Sequence, residues 1–135
     1  MNSFEIKYNG QLMTEAKHLE SGQIIRTDAP KDNHGKGEYF SPTDLVCVAL
    51  TSCMLTIIAI SIKKYDVSLR GATAIVAKKM QSRPRMISDI NIVFNFKENY
   101  ESKIRTIIRR AALNCPVYKS LSSKINKKVE FKYPN

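Results

Sequence analysis

Two cysteines have the surroundings that thiol chemistry needs. Cys115 lies in Asn114-Cys115-Pro116. A residue before proline is pushed out of helical geometry, and proline suits the first position of a helix. The spacing predicts that Cys115 caps a short helix running from Pro116 to about Ser123. Backbone N–H groups and the positive helix end favour a thiolate at such a place. Arg109 and Arg110 stand close in sequence and add positive field. The same residues also fit a small buried cysteine at a helix boundary. Cys53 sits in Thr51-Ser52-Cys53-Met54, in mid-helix, with positions 49, 50, 56, 57 and 60 on its face. On its surroundings alone it reads readily as a packed core residue, since free cysteine packs well in cores. Cys47 comes six residues earlier, faces elsewhere, and reads as core.

Other chemistries lack their residues. His18 and His34 are far from each other and from the cysteines. No C-x-x-C or H-x-x-x-H spacing exists, so no structural zinc site is expected. There is no phosphate-cradling glycine loop and no dinucleotide fingerprint. Ser52-Cys53 lacks the flanking glycines of a nucleophile elbow.

The elements that must position the thiols follow from the patterning. Phe4 to Tyr8 alternates apolar and charged residues, and Asn9-Gly10 signals a tight hairpin. A second strand is predicted over Leu12 to Lys17, and a short third one after Gly22 through Arg26. Residues 28–40 have loop composition. Ser41, Pro42 and Asp44 then open a helix as N-cap, first residue and capping partner. From Leu45 to Ile62 no residue is charged, and the apolar side chains go all round. Such a helix is buried on every side. Thr51, Ser52, Thr56 and Ser61, and the run's short length, argue against a membrane span. Val67-Leu69 through Gly71 into Ala77 predicts a strand, and Ser82 to Arg85 a break. Alternation through Ile90, Ile92, Phe94 and Phe96 predicts a half-buried antiparallel strand. An amphipathic helix is expected over about Asn99–Leu113, with Tyr100, Ile104, Ile107, Ile108 and Ala111 as its stripe. Val129, Phe131 and Tyr133 mark a last strand. The class is α+β.

The 135 residues fit one domain, here divided as 1–40, 41–65 and 66–135. Three cysteines are too few for a secreted disulfide framework, and no basic-then-apolar leader is present, so a cytoplasmic location is expected. The chain has 22 Lys+Arg against 12 Asp+Glu. The basic residues are dispersed and belong to no nucleic-acid motif, so nucleic-acid binding is not expected.

Two stretches carry a family resemblance. Phe40-Ser41-Pro42-Thr43-Asp44-Leu45, followed by Leu50-Thr51-Ser52-Cys53-Met54, resembles the helix start and first cysteine of the osmotically inducible protein C / organic hydroperoxide resistance superfamily. Asn114-Cys115-Pro116-Val117, with Ser120-Leu121 after it, resembles that family's second-cysteine motif. The order of elements agrees over essentially the whole chain. The resemblance implies antiparallel sheets wrapped around a long buried central helix in an intertwined homodimer. It implies reduction of organic or hydrogen peroxides, with Cys53 as the peroxidatic thiol and Cys115 as the resolving one. It implies regeneration by a dithiol reductant, without metal or organic cofactor. The two cysteines should lie within disulfide reach.

The chain departs from the peroxidase pattern in two places. Where that branch has an arginine after the first hairpin turn and a glutamate after the helix-start proline, this chain has Gln11 and Thr43. Asp44, Arg26 and Glu38 are the candidates for the missing polarising groups. A thiolate without its arginine is less populated at neutral pH. The alternative function is therefore a non-catalytic protein of the same fold that binds a small hydrophobic or anionic ligand.

Overall fold

The computed structural model describes residue 1 and residues 3–135. Two compact units emerge, Met1–Val46 and Cys47–Asn135.

The first unit is a three-stranded antiparallel sheet in the order β1-β2-β3, with β1 Phe4–Gly10, β2 Met13–His18 and β3 Ile24–Asp28. The β1–β2 register runs from Phe4↔His18 to Gly10↔Met13. Its hairpin turn puts Gly10, Gln11 and Leu12 at positive φ (87°, 55° and 63°), and the Leu12 N–H donates to the Tyr8 hydroxyl at 3.2 Å. The loop after β3 holds a single 3-10 turn at Lys31–Asn33. Asp28, fully buried, organises this loop. Its Oδ2 accepts the Glu38 N–H at 3.0 Å, and its own N–H donates to the Phe40 carbonyl at 3.2 Å. Gly35 passes so close to Ala29 that an added Cβ would meet that residue's carbonyl oxygen at 1.7 Å.

The helix α1 (Pro42–Ile62) begins in this unit. Its start is a reciprocal capping pair. The Asp44 N–H donates to Ser41 Oγ at 3.1 Å, and the Ser41 N–H donates to Asp44 Oδ2 at 2.9 Å. Two otherwise orphaned donors are satisfied at once. Ser41→Ala removes one acceptor at a buried position and should cost about 1 kcal/mol. Urea denaturation should show a lower midpoint at an unchanged slope.

The second unit contains the rest of α1, then β4 (Thr73–Gln81), β5 (Met86–Asn95), α2 (Ser102–Leu113), α3 (Pro116–Ser120) and β6 (Asn126–Lys132). Its sheet has the order β4-β5-β6. β4 and β5 are antiparallel, as the alternation predicts, but β5 and β6 are parallel. This sheet is therefore mixed. The reason lies in the connection, since a chain that leaves β5, builds two helices and returns can lay its next strand parallel, which a tight hairpin cannot do. The expected strand at Val67–Leu69 does not form, because the ladder begins at Thr73↔Asn95. There the chain turns, with Ala72 N–H donating to the Leu69 carbonyl at 3.0 Å, Gly71 at φ 85°, and the Tyr100 hydroxyl donating to the Ser68 carbonyl.

The core of this unit is visible in its burial. Ile87, Ile90, Ile92, Phe94 and Phe96 are buried from β5 onward, and Ile104, Ile108, Ala111 and Ala112 from α2. Phe94 stacks on Phe131 (ring centroids 5.6 Å) and Phe96 on Tyr133 (4.8 Å), with Tyr100 edge-on to Phe96. On α1 the buried residues are Cys47, Leu50, Thr51, Met54, Ile58 and Ile62. The opposite side of that helix is open, and Ile60 is 64 % exposed. A helix apolar all round thus has only one side covered within the single chain.

Candidate functional site

The second unit brings two of the three cysteines together. Cys53 is half-buried on α1, and Cys115 is completely buried ahead of α3. The two thiols are close enough for Cys53 to act on the ionisation of Cys115. All three cysteines are free thiols, and Cys47 is buried on α1, where its carbonyl accepts the Thr51 hydroxyl at 2.9 Å.

Local sequence explains the seat of Cys115. It has the extended geometry of an N-cap (φ −68°, ψ 147°), and Pro116 takes the first helical position. The Tyr118 N–H donates to Cys115 Sγ at 3.2 Å, and the Val117 N–H also favours the thiolate. The predicted cap is therefore present. The thiolate preference expected from it is not. Burial pushes the Cys115 thiol above its ordinary value and outweighs the two N–H groups that pull it down, and the neighbouring Cys53 raises it further. A thiol closed off from water loses more by desolvation than one turn of helix returns. Arg109, expected to add positive field, has its guanidinium 5.7 Å from the Phe131 ring centroid instead.

The candidate polarising groups sit in the first unit. Asp44 caps α1 through Ser41. Arg26 forms an ion pair with Glu15 (3.6 Å) and hydrogen-bonds the Tyr39 side chain, and both raise its pKa. Glu38 is exposed and contributes its backbone N–H to Asp28. Sequence reasoning missed Tyr118 as the group that holds the thiol. The signal was available, because a cysteine at an N-cap position meets the N–H three residues later. Among the described residues no cluster of three or more His, Cys, Asp or Glu side chains is arranged to hold a metal ion.

Known proteins share this chain's sequence pattern and fold. The family model for OsmC-like proteins matches residues 35–130, a stretch that contains both paired thiols. A crystal structure from Psychrobacter arcticus 273-4, of a protein named for osmotic stress induction and detoxification response, is 44 % identical. It covers 98 % of this chain and 96 % of its own, with a TM-score of 0.94. An OsmC-like protein from Mycoplasma pneumoniae shares the fold at 17 % identity (TM-score 0.82, 100 % of this chain and 98 % of its own). So does an organic hydroperoxide resistance protein from Legionella pneumophila at 11 % identity (TM-score 0.78, 98 % and 96 %). No curated protein sequence matches the chain. A family pattern over most of the sequence, and a close relative that superposes from end to end, make this chain a member of the OsmC-like protein family.

Proposed function

We propose that this protein is a cysteine-based peroxidase that reduces organic or hydrogen peroxides through a Cys53–Cys115 disulfide. The observation that carries the reading is the closeness of these two thiols, near enough that Cys53 acts on the ionisation of Cys115, inside a family whose members include organic hydroperoxide resistance proteins. In the first step the Cys53 thiolate attacks the peroxide oxygen. The O–O bond breaks, the alcohol leaves with a proton, and Cys53 becomes a sulfenic acid. In the second step Cys115 attacks that sulfur. Its proton and the sulfenic hydroxyl leave as water, and the S–S bond forms. A dithiol then restores both thiols by exchange and is itself oxidised to a disulfide.

The raised Cys115 thiol fits the resolving role. It stays protonated while Cys53 attacks, and it loses its proton only as the disulfide closes. The second step should therefore accelerate with pH. Below the raised Cys115 value, closure should speed up by about tenfold per pH unit, following the thiolate fraction. The rise should continue beyond the ordinary thiol range. Stopped-flow measurement of sulfenic acid decay from pH 6 to pH 10 checks this, and a flat profile would remove Cys115 from the step.

We also propose that the chain works as a single domain and as a cytoplasmic homodimer. Phe4, Ile6 and Ile25 leave an apolar cleft of about 350 Å³ on the first sheet, and Ile60 and Ile75 stand open in the second unit. Surfaces of this kind are what a second copy would cover. The helix α1 with its following turn is long and apolar enough to cross a membrane by length and composition. We assign it instead to the protein core and the interface between copies, because Leu50, Met54, Ile58 and Ile62 are already buried within the chain.

The test is a free-thiol count on native protein before and after one equivalent of organic hydroperoxide, with mass spectrometry to locate any bridge. Rapid loss of two thiols and a Cys53–Cys115 bridge is the expected result. An inert Cys53 would overturn the proposal in favour of a non-catalytic protein that binds an apolar ligand.

A further inference from the structure

The charge of this protein is unevenly distributed. From residue 102 to the C-terminus there are nine Lys and Arg residues and one acidic residue, Glu130. Glu130 is 3.9 Å from Lys128. The remaining cations of that stretch have no carboxylate partner among the described residues. Several are instead set against aromatic rings. The Arg105 guanidinium lies 4.2 Å from the Tyr133 ring centroid, Arg109 lies over Phe131, and Lys127 Nζ is 5.2 Å from the Tyr118 centroid.

One of these cations helps to form a cavity. An open cleft of about 720 Å³ lies where the end of α2, the helix α3 and the start of β6 meet. This size falls within the range of small-molecule sites. Lys119, Lys124 and Lys127 line it together with the apolar side chains of Leu113, Leu121 and Ile125. Lys127 is only half exposed and is fixed in place. Its Nζ donates to the carbonyls of Ser122 (3.2 Å) and Ile125 (3.0 Å). An ammonium has three donors, so one remains for a ligand. The Asp89 carboxylate accepts from Asn126, one of the lining residues, at 3.1 Å. It is already held by Ser88 and lies in the field of Lys79.

We propose that this cleft binds a small phosphate monoester, with its phosphate among Lys119, Lys124 and Lys127 and its apolar body against Leu113, Leu121 and Ile125. A phosphate monoester carries nearly two negative charges at neutral pH and offers three acceptor oxygens, which suits three separate ammonium groups. The apolar wall gives the ester group a reason to bind that inorganic phosphate lacks. The site stands apart from peroxide chemistry but shares one residue with it. Tyr118 lines the cleft and holds Cys115 Sγ with its backbone N–H. Its amide therefore reports occupancy directly.

The experiment is an amide NMR titration of the reduced full chain with phenyl phosphate, inorganic phosphate and benzyl alcohol in parallel. Phenyl phosphate should shift the amides of Tyr118, Lys119 and residues 125–127 and saturate with a Kd of about 1 mM or tighter. Inorganic phosphate should bind at least about tenfold more weakly, and benzyl alcohol should leave these amides in place. The double variant K119E/K124E, which changes two exposed lysines, should lose at least about tenfold in affinity while its circular dichroism stays the same. The proposal is overturned if shifts scatter over all basic residues or if benzyl alcohol binds equally well. It is also overturned if inorganic phosphate matches phenyl phosphate, or if the double variant binds unchanged. None of these readouts depends on peroxide turnover.

Discussion

Cys53→Ser should reduce hydroperoxide consumption to the level of the uncatalysed reaction, a loss of roughly 10³-fold or more. A serine hydroxyl at this place is neither ionised nor oxidisable, and nothing else in the pair can start the reaction. Cys115 is completely buried, its thiol is pushed up by burial, and Cys53 is a thiol neighbour that raises it further. Cys115→Ser should behave differently. The first step needs only Cys53, so one turnover should still occur, but it should stop at the sulfenic acid. One thiol is lost instead of two, no bridge forms, and a dimedone adduct should appear at Cys53 in the mass spectrum. A serine at position 115 is close to cysteine in size and can still donate a hydrogen bond, which limits the effect on the first step. The contrast between the two variants is what assigns the roles. If both lose the first turnover equally, the pair acts as a structural unit and the peroxidase reading fails. If Cys115→Ser turns over normally with dithiol, Cys115 is not the resolving thiol.

The sequence made much of this site legible, for physical reasons that differ between residues. The cap at Cys115 could be read because proline imposes its geometry locally, on itself and on the residue before it. The start of α1 could be read because Ser41 and Asp44 satisfy each other within one turn. The ionisation of Cys115 could not be read, since it depends on burial, which is set by residues distant in sequence. The same holds for the β5–β6 pairing. Alternation tells that Val129, Phe131 and Tyr133 share a face, but not which way the strand runs beside its neighbour. Val67–Leu69 has the composition of a strand, but the described ladder begins only at Thr73. Arg109 illustrates the limit most clearly. It stands six positions before Cys115, yet its side chain lies over the ring of Phe131, on a strand that the helical segment must first return to reach. Cys53 and Cys115, which act on each other, are 62 positions apart. Their disulfide reach is an expectation from family resemblance, not from any spacing within this chain.

Phe94→Ala should be the most destabilising of the core truncations, at about 3–5 kcal/mol. Phe94 is 0 % exposed, sits in the middle strand of the second sheet, and pairs with Ala74 on one side and Phe131 on the other. Its ring stacks on Phe131 and lies 6.1 Å from Phe96, so the cavity opens inside an aromatic cluster. Flat, rigid rings collapse into a void less readily than aliphatic chains do, and the loss combines buried apolar area with unfilled volume. For a domain of this size, a loss of that order should lower the melting temperature by roughly 10 °C or more. Because the proposed dimer makes melting depend on protein concentration, wild type and variant should be compared at the same protomer concentration. The variant also tests how far the thiol pair depends on the sheet. Cys53 and Cys115 are on α1 and ahead of α3, and neither is on a strand. Below its melting transition, Phe94→Ala should therefore still form the Cys53–Cys115 bridge with hydroperoxide. A variant that is folded by circular dichroism but has lost the bridge would show that β5 sets the position of the thiols as well as the stability of the unit.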